Sequence, residues 1–268
     1  MTGGVLAGLV VPHAPTLLEW GAKGEPHPVL DALRAEGRRL LDAGVETVVA
    51  LTTHWQPDDA FYLDDAARHA TVTDYAGFSV EVEYDCDGDP SLATSMVNAG
   101  VKAGVPAKIA AHGADHAITI PLSFMFPEKG VKVIPASVSR LPLEWCQQWG
   151  AAVARAAAAA GRRIAITASG ALSHDLAAFI ARRRTPDQDA FDQAVIDLLV
   201  RGHPRAVLNL KPHLLEAGKP EGGFRDLLVL VGAMAAARTG ERPCARLAAY
   251  ESLPGVGQAV LVYEGIAP

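Results

Sequence analysis

Cysteine is scarce in this sequence: Cys86, Cys146 and Cys244 are the only three in 268 residues, widely separated and never arranged as CxxC. That excludes a disulfide framework, predicts inert thiols and points to the reduced cytosol. Long apolar stretches are missing too. No run approaches the roughly eighteen residues of a membrane span. The short apolar N-terminus lacks the basic flank and small-residue cleavage site of a secretory signal. Positive charge is not concentrated anywhere, and the formal net charge is -6. Nucleic acid and anionic membrane are therefore excluded as main partners. Apart from an alanine-rich tract, there is no linker, repeat or low-complexity segment, so one domain over residues 1–268 is expected.

What is present is an alternation of buried strands and helices. Val5 to Val11 is continuously apolar and stops at Pro12-His13-Ala14-Pro15, where two prolines force irregular backbone. Apolar residues then recur at helical spacing from Pro28 to Leu41, closed by Ala43-Gly44. Thr47 to Thr52 is a second apolar strand, running into Thr53-His54-Trp55. This strand–helix–strand order predicts parallel strands in a right-handed βαβ unit. A strand or hairpin is expected over Ala70–Asp85, with helices over Pro90–Ala103, Trp145–Ala160, Asp187–Val200 and Gly223–Ala237. Further strands are expected at Val131–Val138, Arg163–Ala168, Ala245–Ser252 and Gln258–Glu264. The pattern predicts an α/β fold, a single domain with a mostly parallel central sheet flanked by helices.

His13, His54 and His174 each fall just past the end of a predicted parallel strand, the sheet edge where open α/β folds bind ligands. Neutral imidazole is the commonest ligand for first-row transition metals, and two histidines with a carboxylate leave positions open for substrate and oxygen. A metal site at the C-terminal edge of the strands is the expectation. His112 and His116 are four apart, but Gly113 lies between them and no glutamate follows His112. The segment is read as a loop that delivers a proton-transfer histidine to the start of a helix. His27, His69, His203 and His213 are expected to face solvent. Ser173 and Asp175 are expected to orient His174, and Trp55, Phe124 and Phe126 are candidates for contact with an aromatic ring, core packing being the expected fate of both phenylalanines.

The combination VPHAP, TTHW, GADHAITIPLSFMFPE and SGALSHDL resembles the class III extradiol ring-cleavage dioxygenases of the LigB type, in order and spacing from about Val5 to Tyr263. The resemblance implies metal binding by His13 and His54 and acid–base roles for His116 and His174, without saying which is acid and which base. It also implies a late glutamate as third ligand. Glu221, just before the helix and the GGFR turn in LLEAGKPEGGFRDLLVLVGAM, is the choice, with Glu216 and then Asp226 as runners-up. The implied cofactor is Fe(II), with Zn(II) or Mn(II) as substitutes. The implied partners are a catecholic diol and O2, and a homo-oligomer is expected because such assemblies are usual for soluble enzymes. The C-terminal YESLPGVGQAVLVYE also resembles Memo-like branches of the superfamily. A metal-binding or redox protein without ring cleavage is thus one alternative, and a zinc-dependent hydrolase in the same pocket is another.

Overall fold

Seven residues that are all buried, Gly4–Val10, form the first strand, β1, of the computed structural model, which describes residues 3–72, 74, 82–238 and 242–265. A strand buried on both faces needs helices on both sides of its sheet, and the chain supplies them. After β1 come α1 (Thr16–Lys23), α2 (Pro28–Asp42), β2 (Thr47–Thr52) and β3 (Phe61–Leu63). The short β4 (Arg68–His69) and β5 (Cys86–Asp87) pair with each other. They are followed by α3 (Pro90–Lys102), β6 (Ala107–Ile109), α4 (His116–Met125), β7 (Lys132–Ser137), α5 (Leu143–Ala159) and β8 (Arg163–Ala168). The C-terminal third holds α6 (Leu176–Ile180), α7 (Pro186–Val200), α8 (Pro212–Gly218), α9 (Arg225–Ala237), β9 (Ala245–Leu253) and β10 (Val256–Glu264).

The main sheet has eight strands in the order β6-β3-β7-β2-β8-β1-β10-β9. Its centre, β7-β2-β8-β1, is parallel throughout, while β10 and β9 extend it as an antiparallel hairpin. The fold is therefore α/β with a mostly parallel sheet. One apolar core lies between the sheet and α5 and α9, and a second lies beneath α1, α2 and α4. The helices α5 and α9 approach closely because glycines face backbone: a Cβ at Gly150 would fall 1.9 Å from Val229 O, and one at Gly232 2.3 Å from Gln147 O.

Most expected elements lie where the sequence places them, with three differences. The strands β1 and β2 are parallel but not neighbours, because β8 is inserted between them. The helix expected from Gly223 begins at Arg225, since Gly222 and Gly223 take left-handed conformations (φ 60° and 63°) that belong to a turn. The strand or hairpin expected over Ala70–Asp85 falls mostly on residues 73 and 75–81, outside the described residues, and its flanks lead to the β4/β5 pair.

Two of the four histidines expected at the surface are buried. The unanticipated α1 brings Trp20 over the His27 ring (5.2 Å between centroids) and leaves it 4% exposed. His69 is 1% exposed, covered by Gly88 and 3.5 Å from the Asp64 carboxylate. His203 and His213 are exposed as expected. Cys86 and Cys146 are buried and Cys244 is exposed. Among the described residues, no helix is long and apolar enough to cross a membrane.

Candidate metal centre

The loops after β1, β2 and β8 carry His13, His54 and His174 to one edge of the parallel sheet. His116 joins them as the first residue of α4, whose N-cap is Asp115. With Glu221, these four histidines line a single cavity of about 280 Å³. The ring centroids of His13, His54 and His116 lie 4.3 to 5.3 Å apart. Their nearest ring nitrogens all fall within 4.8 Å of one another, a cluster able to hold a metal ion.

Glu221 reaches the cavity through an unusual turn. Gly222, Gly223 and Phe224 are all left-handed, and the third is anchored by its buried ring packed on Phe191. Left-handed backbone is cheap for glycine and costs an L-residue about 1–2 kcal/mol. A Cβ at Gly222 would also lie 2.9 Å from Thr53 Cγ2. Gly222→Ala is therefore expected to lower unfolding stability by at least about 1–2 kcal/mol, measured by denaturant titration, and to displace Glu221.

The Glu221 carboxylate is held by two donors: Thr53 Oγ1 donates to Oε1 (2.9 Å) and Ala171 N to Oε2 (2.9 Å). The same Oε1 lies 3.4 Å from His13 Nε2 and 3.5 Å from His54 Nε2. Ligands about 2.1 Å from a common metal sit roughly 3.0 to 3.4 Å from one another, so each of the two nitrogens stands close to ligand spacing from this oxygen.

The tautomer of His13 is set from behind. Ser169 Oγ has one proton and donates it to Ala117 O. It therefore accepts from His13 Nδ1–H (3.0 Å), and the Nε2 lone pair faces Glu221. Two acceptors aimed at each other repel unless something positive lies between them. Burial opposes charge on His54, yet Asp74 and Glu221 outweigh it and raise the ring to about 10. Burial likewise acts to raise Glu221, but His13 and His54 hold it well below the ordinary carboxylate range. The site favours positive charge here, whether carried by a proton or by a metal ion.

The remaining two histidines are tuned the other way. Burial holds His174 below the usual histidine value. Burial also holds His116 low, against the pull of Asp74, whose Oδ1 lies 2.7 Å from Nδ1. We read this pair as a neutral imidazole donating Nδ1–H to a carboxylate, which leaves Nε2 as the ring's acceptor. His174 is placed by backbone: its N–H donates to Gly218 O (2.7 Å), and the residue bridges to Val256 of β10.

Of the three carboxylates weighed as third ligand, Glu221 lines the cavity. Glu216 is exposed on α8. Asp226 is buried under Gly170, and burial pushes it up to about 6. Ser173 and Asp175 do not serve His174 as expected. Ser173 Oγ donates to Asp192, and Asp175 caps α6 while pairing with Lys219. The aromatic candidates lie elsewhere as well: Trp55 stacks on His112, and Phe126 packs in the core. Phe179, unforeseen in the sequence, is the aromatic residue among the cavity's lining. Asp74 was also missed, as one acid in an irregular segment without a motif.

A mostly parallel sheet with histidines and a carboxylate gathered at its strand ends is an α/β arrangement that could hold a metal ion. Residues 7–261 match the family described as the catalytic LigB subunit of aromatic ring-opening dioxygenase, and the chain belongs to that family. It is 22% identical over 243 residues to 3,4-dihydroxyphenylacetate 2,3-dioxygenase of Escherichia coli, covering 83% of this chain and 87% of that protein. The crystal structure of uncharacterized protein JW3007 from Escherichia coli K12 shares the fold, with TM-score 0.70 at 17% identity over 96% of this chain and 99% of the other.

Proposed function

We propose that this protein is a non-haem Fe(II)-dependent extradiol dioxygenase that opens a catecholic ring with O2. The observation that carries this reading is the convergence of His13 Nε2 and His54 Nε2 on one oxygen of Glu221, with two further histidines against the same cavity. Two nitrogens and one carboxylate oxygen form the donor set of a facial triad with open positions. His13, His54 and Glu221 would hold the metal. Fe(II) there would supply Lewis acidity toward the diol oxygens and a spin-allowed route for triplet oxygen.

The chain's own groups supply the rest. A catechol must lose a hydroxyl proton as it binds, and His174 and His116, both kept neutral by burial, are the nearby acceptors. The proton returns in the second half of the reaction, when C–C cleavage and O–O cleavage need an acid. The balance is one catechol plus one O2 to one ring-opened product that retains both oxygen atoms. Leu176, Phe179, Pro12 and Pro15 give the cavity an apolar wall against which a ring could lie.

The test is anaerobic purification, metal analysis, and oxygen uptake with a catechol panel under Fe(II). The expected result is oxygen uptake equal to catechol consumed, with a yellow ring-opened product. Bound metal with no uptake on any catechol would refute ring cleavage.

A further inference from the structure

The cavity wall away from the histidines is apolar, formed by Pro12, Ala14, Pro15, Leu176, Phe179 and Val256, except at two residues. These are Thr16 and Gln258. Thr16 Oγ1 and Gln258 Oε1 are both shut off from solvent, and neither has a hydrogen-bond partner among the described residues. Gln258 as a whole is 1% exposed. Buried polar atoms without partners are rare in folded proteins, and each one calls for an explanation.

The orientation of the Gln258 amide is fixed from behind. Gln258 sits directly opposite Glu251 in the β9–β10 pairing, and its Nε2 donates to Glu251 Oε2 at 3.1 Å. A carboxylate can only accept, so the amide must turn its nitrogen to Glu251. Its oxygen is then the atom left without a partner, on a side chain that lines the cavity. Glu251 Oε1 in turn lies 3.3 Å from Nε2 of the buried His27. The histidine that the sequence placed at the surface thus lies behind Glu251 and, through it, behind Gln258.

The charge of the lining points the same way. Away from the histidines, no cation lines the cavity among the described residues. The remaining residues, 1–2, 73, 75–81, 239–241 and 266–268, contain no lysine or arginine. A carboxylate arm on the substrate would find no cationic partner here, and it would face an amide oxygen backed by a second carboxylate. An arm that donates a hydrogen bond would meet a preset acceptor.

We propose that Gln258, on a wall that also carries Thr16, determines substrate choice by accepting a hydrogen bond from an uncharged or cationic arm, such as hydroxyalkyl or aminoalkyl, on the catechol ring. Catechols bearing a carboxylate arm are disfavoured. The proposal rests on the ring-opening reading, and Glu251 is a positioning residue that acts through Gln258.

The test measures dissociation constants by anaerobic calorimetry on the Fe(II)-loaded protein, with oxygen uptake recorded in parallel. The probes are hydroxyethyl-, aminoethyl-, ethyl- and carboxymethyl-substituted catechols. The first two are expected to bind about tenfold tighter than the last two, the scale of one good hydrogen bond. In Gln258→Leu that preference is expected to collapse to about twofold or less. Glu251→Gln keeps the shape but lets the Gln258 amide present either end, and it is expected to reduce the preference to about threefold. Equal binding of all four, or tightest binding of the carboxymethyl catechol, with ring cleavage intact, overturns the subsite and leaves the dioxygenase reading standing. Neither binding nor oxygen uptake with any of the four overturns both.

Discussion

Alanine at His13 or His54 is expected to weaken metal binding by well over about 100-fold, because loss of a mere supporting partner already costs about 10–100-fold. The geometry gives the reason. His13 Nε2, its lone pair aimed by Ser169, and His54 Nε2 both lie within 3.5 Å of Glu221 Oε1, so deleting either ring leaves two donors of three. Glu221→Gln is expected to do the same by removing the negative charge. Metal analysis after gel filtration reads the effect, and thermal unfolding supplies a second readout. A ligand bound only by the folded state stabilises it by about 2.7 kcal/mol at a hundred times its Kd. Added Fe(II) should therefore raise the Tm of the wild type and leave the three variants unmoved. Full iron content in His13→Ala and His54→Ala would remove both from the metal centre.

Glutamine at His174 or His116 is expected to leave the metal in place and slow turnover by about 100- to 10,000-fold, the range for loss of a general acid or base. Burial keeps both rings below the usual histidine value, so each can accept a proton near neutrality. The sign follows from that direction. A base is active while unprotonated, so turnover is held as pH falls past the ordinary histidine value of about 6.5 and is lost only below it. A wild-type acidic limb above that value, or unchanged turnover in one variant, would remove the corresponding histidine from proton transfer. Asp74→Asn offers a finer check, because Asp74 accepts from His116 Nδ1 and also lies 3.5 Å from His54.

Much of this architecture was legible in local patterns, and the gaps have physical causes. Continuous apolar runs announced β1, β2, β7 and β8, and the prolines around His13 announced where the first strand stops. Strand order was not legible, since β8 enters between β1 and β2 through contacts more than a hundred residues distant in the chain. The eight-residue α1 lies between prolines and is too short to establish a period, yet it is what buries His27. The strand-end histidines were visible because strand ends can be read. The position of Glu221 depended on the family resemblance and on the glycine turn after it. Phe179 carries no motif and nothing singles out Gln258 within its segment; only folding brings them to the cavity, and Asp74 to His116 and His54.

The central claim is tested most directly by turning over a catechol substrate in isotopically labelled dioxygen and examining the product by mass spectrometry. The account predicts a ring-opened product carrying both labelled oxygen atoms from wild-type protein, and none from His13→Ala. A product formed by the wild type without label from dioxygen would contradict it and would point to hydrolytic chemistry in the same pocket.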